Sequence, residues 1–172
     1  MISIGTTVPD VRCDAYHPDG RIEAVSLPNY RGKWLVLFFW PLDFTFACAT
    51  ELRVYSDLSH DFDISGAVVL GASVDSVHAH RAWARHGLGA VRFPMLGDVS
   101  HALAQRFGVL ADSGAAMRAT FIINPEGRVV SVTANDLNVG RSARETLRLL
   151  HALQSSEIAV GQWQPGTASA AA

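Results

Sequence analysis

The chain has almost no cysteine: Cys13 and Cys48 are the only two in 172 residues. Two thiols do not make a disulfide scaffold, and without a C-x-x-C pair a thioredoxin-type disulfide reductase has no motif to work with. Lysine is scarcer still, with Lys33 alone among 14 cationic residues. The arginines are scattered and the net charge is −2, so electrostatics gives no reason to expect nucleic acid or a membrane as partner. Long apolar runs are missing too. The longest, Trp34 to Trp40, is far too short to span a bilayer. The opening MISIGTTVPDVRCD lacks the basic and apolar segments of a signal peptide. No glycine pattern forms a phosphate loop, and no Ser–His–Asp arrangement stands out. These absences lead us to expect a reduced, cytoplasmic, single-domain protein.

Of the residues present, 49% are hydrophobic, enough for an ordinary globular core. After a loop-like start containing Pro18, Gly20 and Pro28, KWLVLFFW reads as a strand buried on both faces and ended by Pro41. From Ala49, apolar side chains at Leu52, Tyr55, Leu58 and Phe62 recur at near-helical spacing. GAVVLGASV is a second buried strand. DSVHAHRAWARHG follows as a helix capped by Asp75 or Ser76, with Gly87 beyond its end. VRFPML reads as a short strand carrying an edge proline, and DVSHALAQRFG as a helix opened by Asp98 or Ser100. RATFIIN and RVVSVTA form a hairpin across PEG. SARETLRLLHALQ is a last amphipathic helix, with Ser142 and Glu145 spaced as a capping box. The order of elements predicts an α/β fold with a mixed central sheet flanked by helices. One domain spans residues 1–154, and a small, polar tail from 155 to 172 is interrupted by Trp163.

The chemistry concentrates at WPLDFTFACATELRVY, residues 40 to 55. A thiol reacts as thiolate, and with a reference pKa of about 8.5 only a few per cent is ionised at neutral pH. A helix start favours the charged form, because unpaired N–H groups and the dipole point at it. Cys48 stands at such a start, Thr45 lies three residues earlier with a hydroxyl to offer, and Arg118 is a candidate cation from a distant strand. On these residues alone two readings stay open: a reactive thiol, or a small apolar residue filling a core.

The spacing PLDFTFACATE resembles the active-site loop of the peroxiredoxins, in which a Pro, a Thr and the peroxidatic Cys stand as P-x-x-x-T-x-x-C. Pro41, Thr45 and Cys48 fill those positions, and Glu51 matches the acidic residue that follows. MRATFIINPEG resembles the strand bearing the family's active-site arginine, which assigns that role to Arg118. NDLNVGRSARETLRLLHALQ resembles the segment leading into the last helix, with Arg141 as a supporting arginine. SVDSVHAHRAW and a terminal W-x-P-G also match, so the likeness runs from about Thr6 to Gly166. It is closest to the typical two-cysteine group that includes the peroxidase component of alkyl hydroperoxide reductase. The resemblance implies a thioredoxin-like fold and a peroxidase without metal, haem, flavin or other cofactor. Hydrogen peroxide and alkyl hydroperoxides are the implied substrates. A homodimer or ring of dimers is the implied assembly, with the 155–172 arm and Trp163 at the subunit boundary.

The chain also departs from that family. Ala159 sits where two-cysteine members carry the resolving Cys, and no Cys follows residue 48. The expectation is a one-cysteine mechanism with an external reductant: glutathione or another low-molecular-weight thiol, a thioredoxin or a glutaredoxin. Cys13, in PDVRCDA, is expected to be structural, with a resolving role as the less favoured reading. Ala49 replaces the proline common after the peroxidatic Cys. A redox sensor or holdase-type chaperone is the alternative function. His78, His80 and His86 are read as a solvated helix face rather than a metal site, since residues two apart on a helix diverge. Trp40 is read as a wall of the active-site region or an interface.

Overall fold

A computed structural model describes residues 1–155, 158–161 and 163–166. Its centre is a seven-stranded sheet in the order β2-β1-β5-β4-β3-β6-β7. The strands are β1 (Arg12–Tyr16), β2 (Ile22–Ser26), β3 (Trp34–Phe39), β4 (Ala67–Ser73), β5 (Met95–Gly97), β6 (Arg118–Ile123) and β7 (Val129–Asn135). β4 runs parallel to β3 and β5, while every other pairing is antiparallel, so the sheet is mixed as expected. The helices are α1 (Phe46–Asp57), α2 (Ser59–Ile64), α3 (Val77–Trp83), α4 (Ala102–Phe107) and α5 (Ala143–Gln154).

Strand β3 shows how the sequence makes two cores from one sheet. Its side chains alternate across the sheet. Val36 and Phe38, with Trp40 just beyond the strand, pack against α1, α2, α3 and α5 on one face. Leu35, Leu37 and Phe39 pack with Leu103, Ala104 and Phe107 of α4 on the other. Both faces are covered, which is why the run reads as continuously apolar. Cys48 belongs to the first core, and Cys13 packs against the second. The sheet lies between them.

Several boundaries differ from the sequence reading. The segment before Pro28 is not simply loop-like: Ile22–Ser26 pairs with β1 in full register, from Arg12↔Ser26 to Tyr16↔Ile22. Of VRFPML only Met95 and Leu96 are strand, in β5, which lies inside the sheet between β1 and β4, with Pro94 just ahead of it. The apolar row from Leu52 to Phe62 is two helices, divided at Leu58 (φ −87°, ψ 4°). The helix after Ser76 does not stop before Gly87; it continues as a π-helical turn over Ala84–Leu88, and Gly89 at φ 91° ends it. Asp98 caps α4 from a distance, its carboxylate accepting the Leu103 and Ala104 N–H groups at 3.0 and 2.7 Å. Ser142 does cap α5 by accepting the Glu145 N–H. The Glu145 carboxylate grips Arg148 instead of closing the box, at 2.7 and 2.8 Å. Arg148 in turn holds the Trp163 carbonyl at 2.7 Å, so the buried indole docks on its own chain. Among the described residues, no helix is long and apolar enough to cross a membrane. Residues 156, 157, 162 and 167–172 of the tail fall outside the described residues.

Beneath α1 the first core is aromatic. Phe38 stacks on Tyr55 at 4.0 Å and meets Phe93 edge-on at 5.2 Å. Gly71 of β4 makes this possible, because a Cβ there would lie 2.7 Å from Trp40 and 2.9 Å from Phe38. Both rings are fully buried and cannot withdraw. Gly71→Ala is therefore expected to lose about 1–3 kcal/mol by overpacking, read as a lower urea midpoint with an unchanged slope. An unchanged midpoint would show that the aromatic floor yields freely.

Candidate active site

The site is built where the β3–α1 loop meets the start of β6. Helix α1 begins at Phe46, three residues before the position expected from the sequence, with Thr45 as N-cap residue. Cys48 therefore lies inside the first turn, and its sulfur is fully buried. The Ala49 N–H closes that turn on the Thr45 carbonyl at 3.0 Å. Glu51 follows three residues later on the same helix face, which brings its carboxylate alongside the sulfur. It is also buried.

Two arginines meet this pair. Arg118 opens β6, and its Nη1 lies 3.4 Å from Cys48 Sγ and 2.5 Å from Glu51 Oε2. Its Nε donates to the Leu137 carbonyl at 2.7 Å, fixing the plane of the guanidinium. Arg141, on the loop before α5, donates its backbone N–H to Glu51 Oε1 at 2.5 Å and both Nε and Nη2 to the carboxylate at 3.3 Å. Its Nη1 donates to the Ala119 carbonyl at 2.6 Å, and the guanidinium lies 5.5 Å over the Phe38 ring. Two guanidiniums face one carboxylate, leaving one surplus positive charge in a water-poor site. An anion at the sulfur, or on an oxygen beside it, balances that charge. Four of the five polar groups named from the sequence, Cys48, Glu51, Arg118 and Arg141, converge here.

Pro41 and Thr45 sit on the loop that leads in. Pro41 is buried. The Thr45 hydroxyl does not turn to the sulfur; it donates to the Leu42 carbonyl at 3.1 Å. The loop is pinned by groups that sequence reasoning missed. Asp43 is buried, accepts the Trp40 indole N–H at 2.9 Å and pairs with His80 Nδ1 at 2.7 Å. Its backbone N–H reaches Asp75 at 2.8 Å. These bonds hold Phe44 at φ 58°, a conformation uncommon for a bulky side chain, and set its ring 5.9 Å from Trp83. His80 overturns the solvated-face reading: it is fully buried, with Nε2 3.1 Å from the Leu96 carbonyl. His78 and His86 are exposed, as expected. Trp40 is fully buried in the same core as Cys48.

Cys13 has a different setting. It pairs across from Val25 on β1 and borders an open cleft of about 540 Å³ with Ser76 and His78. Burial first, and then Asp98 and Asp14, push its thiol up to about 11. Ala159 is exposed.

Removing Glu51 would leave two buried guanidiniums facing each other. Glu51→Ala is expected to destabilise the fold by about 3–5 kcal/mol, the cost of an uncompensated buried charge. Thermal and urea unfolding measure it; a loss below about 1 kcal/mol would mean that water or an ion neutralises the arginines freely.

With this geometry in place, comparison with known proteins is specific. The AhpC/TSA family matches residues 4–132. Peroxiredoxin-2 of Mus musculus is 45% identical over 174 aligned residues, covering 95% of this chain and 87% of the relative. Thioredoxin peroxidase of Echinococcus granulosus is 41% identical, covering 95% and 90%. Among solved structures, the reduced 2-Cys peroxiredoxin of Plasmodium vivax superposes with a TM-score of 0.92 at 30% identity, covering 96% of this chain and 91% of that one. The mixed sheet flanked by helices is accordingly the thioredoxin-like fold of these neighbours. The chain belongs to the AhpC/TSA family, the peroxiredoxins, and is an oxidoreductase of the thiol-dependent peroxidase type.

Proposed function

We propose that Cys48 is the peroxidatic nucleophile of a one-cysteine peroxidase whose reductant is an external thiol. The observation that carries the site assignment is the Arg118 guanidinium, 3.4 Å from the sulfur and anchored on buried Glu51. In this reading the Cys48 thiolate attacks one oxygen of hydrogen peroxide or an alkyl hydroperoxide. The S–O bond forms as the O–O bond breaks, and the departing oxygen takes up a proton and leaves as water or alcohol. Arg118 and the N–H groups of the first α1 turn stabilise charge on that oxygen. Thr45 frames the peroxide, its hydroxyl exchanging the Leu42 carbonyl for a substrate oxygen. Pro41 shields the sulfur from water. Glu51 and Arg141 orient Arg118.

The resulting sulfenic acid has no suitable partner among the chain's own thiols. Cys13 packs on the far side of the sheet, and its raised pKa keeps it a poorly nucleophilic thiol near neutral pH. A small thiol, a thioredoxin or a glutaredoxin instead attacks the Cys48 sulfur and displaces water to give a mixed disulfide. A second thiol then releases Cys48 and leaves as a disulfide. Such reductants are plentiful in a reducing cytoplasm, the compartment this reading assigns. Exposed Leu42, Phe44 and Phe46 around the site fit burial in a dimer or ring of dimers, as do exposed Ile158 and Val160 of the 155–172 arm.

Steady-state assays with hydrogen peroxide, an organic hydroperoxide and each candidate thiol test the reading. Cys48→Ser is expected to abolish turnover, whereas Cys13→Ser keeps it within about twofold. Mass spectrometry of the peroxide-treated protein should show oxidised Cys48 and an intact Cys13 thiol. A stoichiometric Cys13–Cys48 disulfide would falsify the one-cysteine mechanism.

A further inference from the structure

Behind Arg141, away from Cys48, a row of buried hydroxyls has no part in the chemistry above. Arg141 Nη1 lies 3.3 Å from Thr120 Oγ1. Tyr55 OH stands between two threonines, 3.3 Å from Thr120 Oγ1 and 3.1 Å from Thr146 Oγ1. The Thr146 hydroxyl itself donates to the Ser142 carbonyl at 3.3 Å. Tyr55, Thr120 and Thr146 are all buried.

Proton counting gives this row a direction. Each hydroxyl carries one proton. Thr146 spends its own on Ser142, a carbonyl that can only accept, so it must accept the proton of Tyr55. The Tyr55 proton is then committed, so the tyrosine oxygen accepts from Thr120. That leaves a lone pair on Thr120 directed at Arg141, whose N–H can only donate. The row therefore runs one way: Arg141 N–H to Thr120, Thr120 to Tyr55, Tyr55 to Thr146, Thr146 to the Ser142 carbonyl. Aligned hydrogen bonds of this kind polarise one another and strengthen the acceptor at the head.

We propose that Thr120 and Tyr55 are positioning residues of the peroxidase, holding Arg141 so that Glu51 in turn sets Arg118 against the sulfur. The proposal rests on the reading that Cys48 reduces peroxide with the help of Arg118. The residues that carry it sit well for the task. Thr120 lies two residues along β6 from Arg118, on the same side of the strand. Tyr55 is one turn beyond Glu51 on α1 and is clamped by its stack on Phe38, the ring that also carries Arg141. Thr146 and Arg141 flank the start of α5. One hydroxyl row thus ties together the three elements that supply Glu51, Arg118 and Arg141. Without it, the Arg141 guanidinium keeps its bonds to Glu51 and to the Ala119 carbonyl but loses the second acceptor of Nη1.

The test is the rate of Cys48 oxidation by hydrogen peroxide in a single turnover of the full-length reduced protein. Thr120→Val, nearly the same shape without the hydroxyl, is expected to react about tenfold more slowly. Thr120→Ser, which restores the hydroxyl, should return to within about twofold of the parent. Tyr55→Phe, which breaks the row at its middle, should fall by about threefold. A Val variant as fast as the parent, or Val and Ser variants equally slow, overturns the proposal, since a packing role does not distinguish them in this way. If Thr120→Val fails to fold, Tyr55→Phe decides: a parent-like rate overturns the proposal, and a slowed rate in a protein with parent-like unfolding supports it. A parent protein in which peroxide leaves Cys48 untouched refutes the peroxidase role of Cys48 itself, a result separate from any of these.

Discussion

The site depends on one buried carboxylate. Glu51 receives Arg118 on one oxygen and the Arg141 backbone on the other, both at 2.5 Å. Bringing two guanidiniums out of water is costly unless a counter-charge and a full set of acceptors wait for them. Glu51 supplies the charge, and the Leu137 and Ala119 carbonyls supply the fixed acceptors. The elements so joined, α1, β6 and the loop before α5, are far apart in sequence and are held in place by separate packing. The charge arrangement thus doubles as a tertiary clamp. The excess positive charge that makes the site receptive to an anion is what remains when one carboxylate serves two arginines.

A second buried pair does for the loop what Glu51 does for the arginines. His80 lies between the Asp43 carboxylate and the Leu96 carbonyl. The pair is fully buried at the root of the loop that carries Pro41 and Thr45. Together with the Trp40 indole bond it converts a flexible-looking stretch into a fixed approach to Cys48, and it supports the left-handed Phe44.

How much of this is legible in the sequence follows from the range of each interaction. The spacing of Pro41, Thr45, Cys48 and Glu51 is local, and the likeness to peroxiredoxin segments extends it to Arg118 and Arg141. The structure brings Cys48, Glu51, Arg118 and Arg141 to one point. The buried strands β3 and β4 are plain because a sheet covered on both faces writes itself as an unbroken apolar run. β2 escapes detection because an edge strand with exposed Ile22 and Glu23 carries little hydrophobic signal. β5 is misjudged because three residues are too few to show a period, and its interior place is set by neighbours. His80 is misread although a signal exists: it falls between Val77 and Trp83 at a helical spacing of three, on the buried face. What no periodicity reveals is its partner, since Asp43 lies in a loop 37 residues earlier. The hydroxyl row is hidden for the same reason, with Tyr55, Thr120 and Thr146 each looking like ordinary core or strand residues.

Burial of Cys48 imposes an order on the proposed cycle. Its sulfur has no exposed surface, and the Ala49 N–H holds the first turn of α1 closed over it. A peroxide is small enough to be admitted by modest movement of the loop, and the charges it needs are already placed. A thiol reductant must bring its own sulfur in line behind the bound oxygen, which the closed turn forbids. In the proposed cycle, letting a thiol reach the sulfur means opening this turn, at the cost of the Ala49–Thr45 bond. A proline at residue 49 would have no such bond to lose. With alanine there, the closed turn keeps a hydrogen bond, worth about 1 kcal/mol, that opening has to break in the proposed cycle.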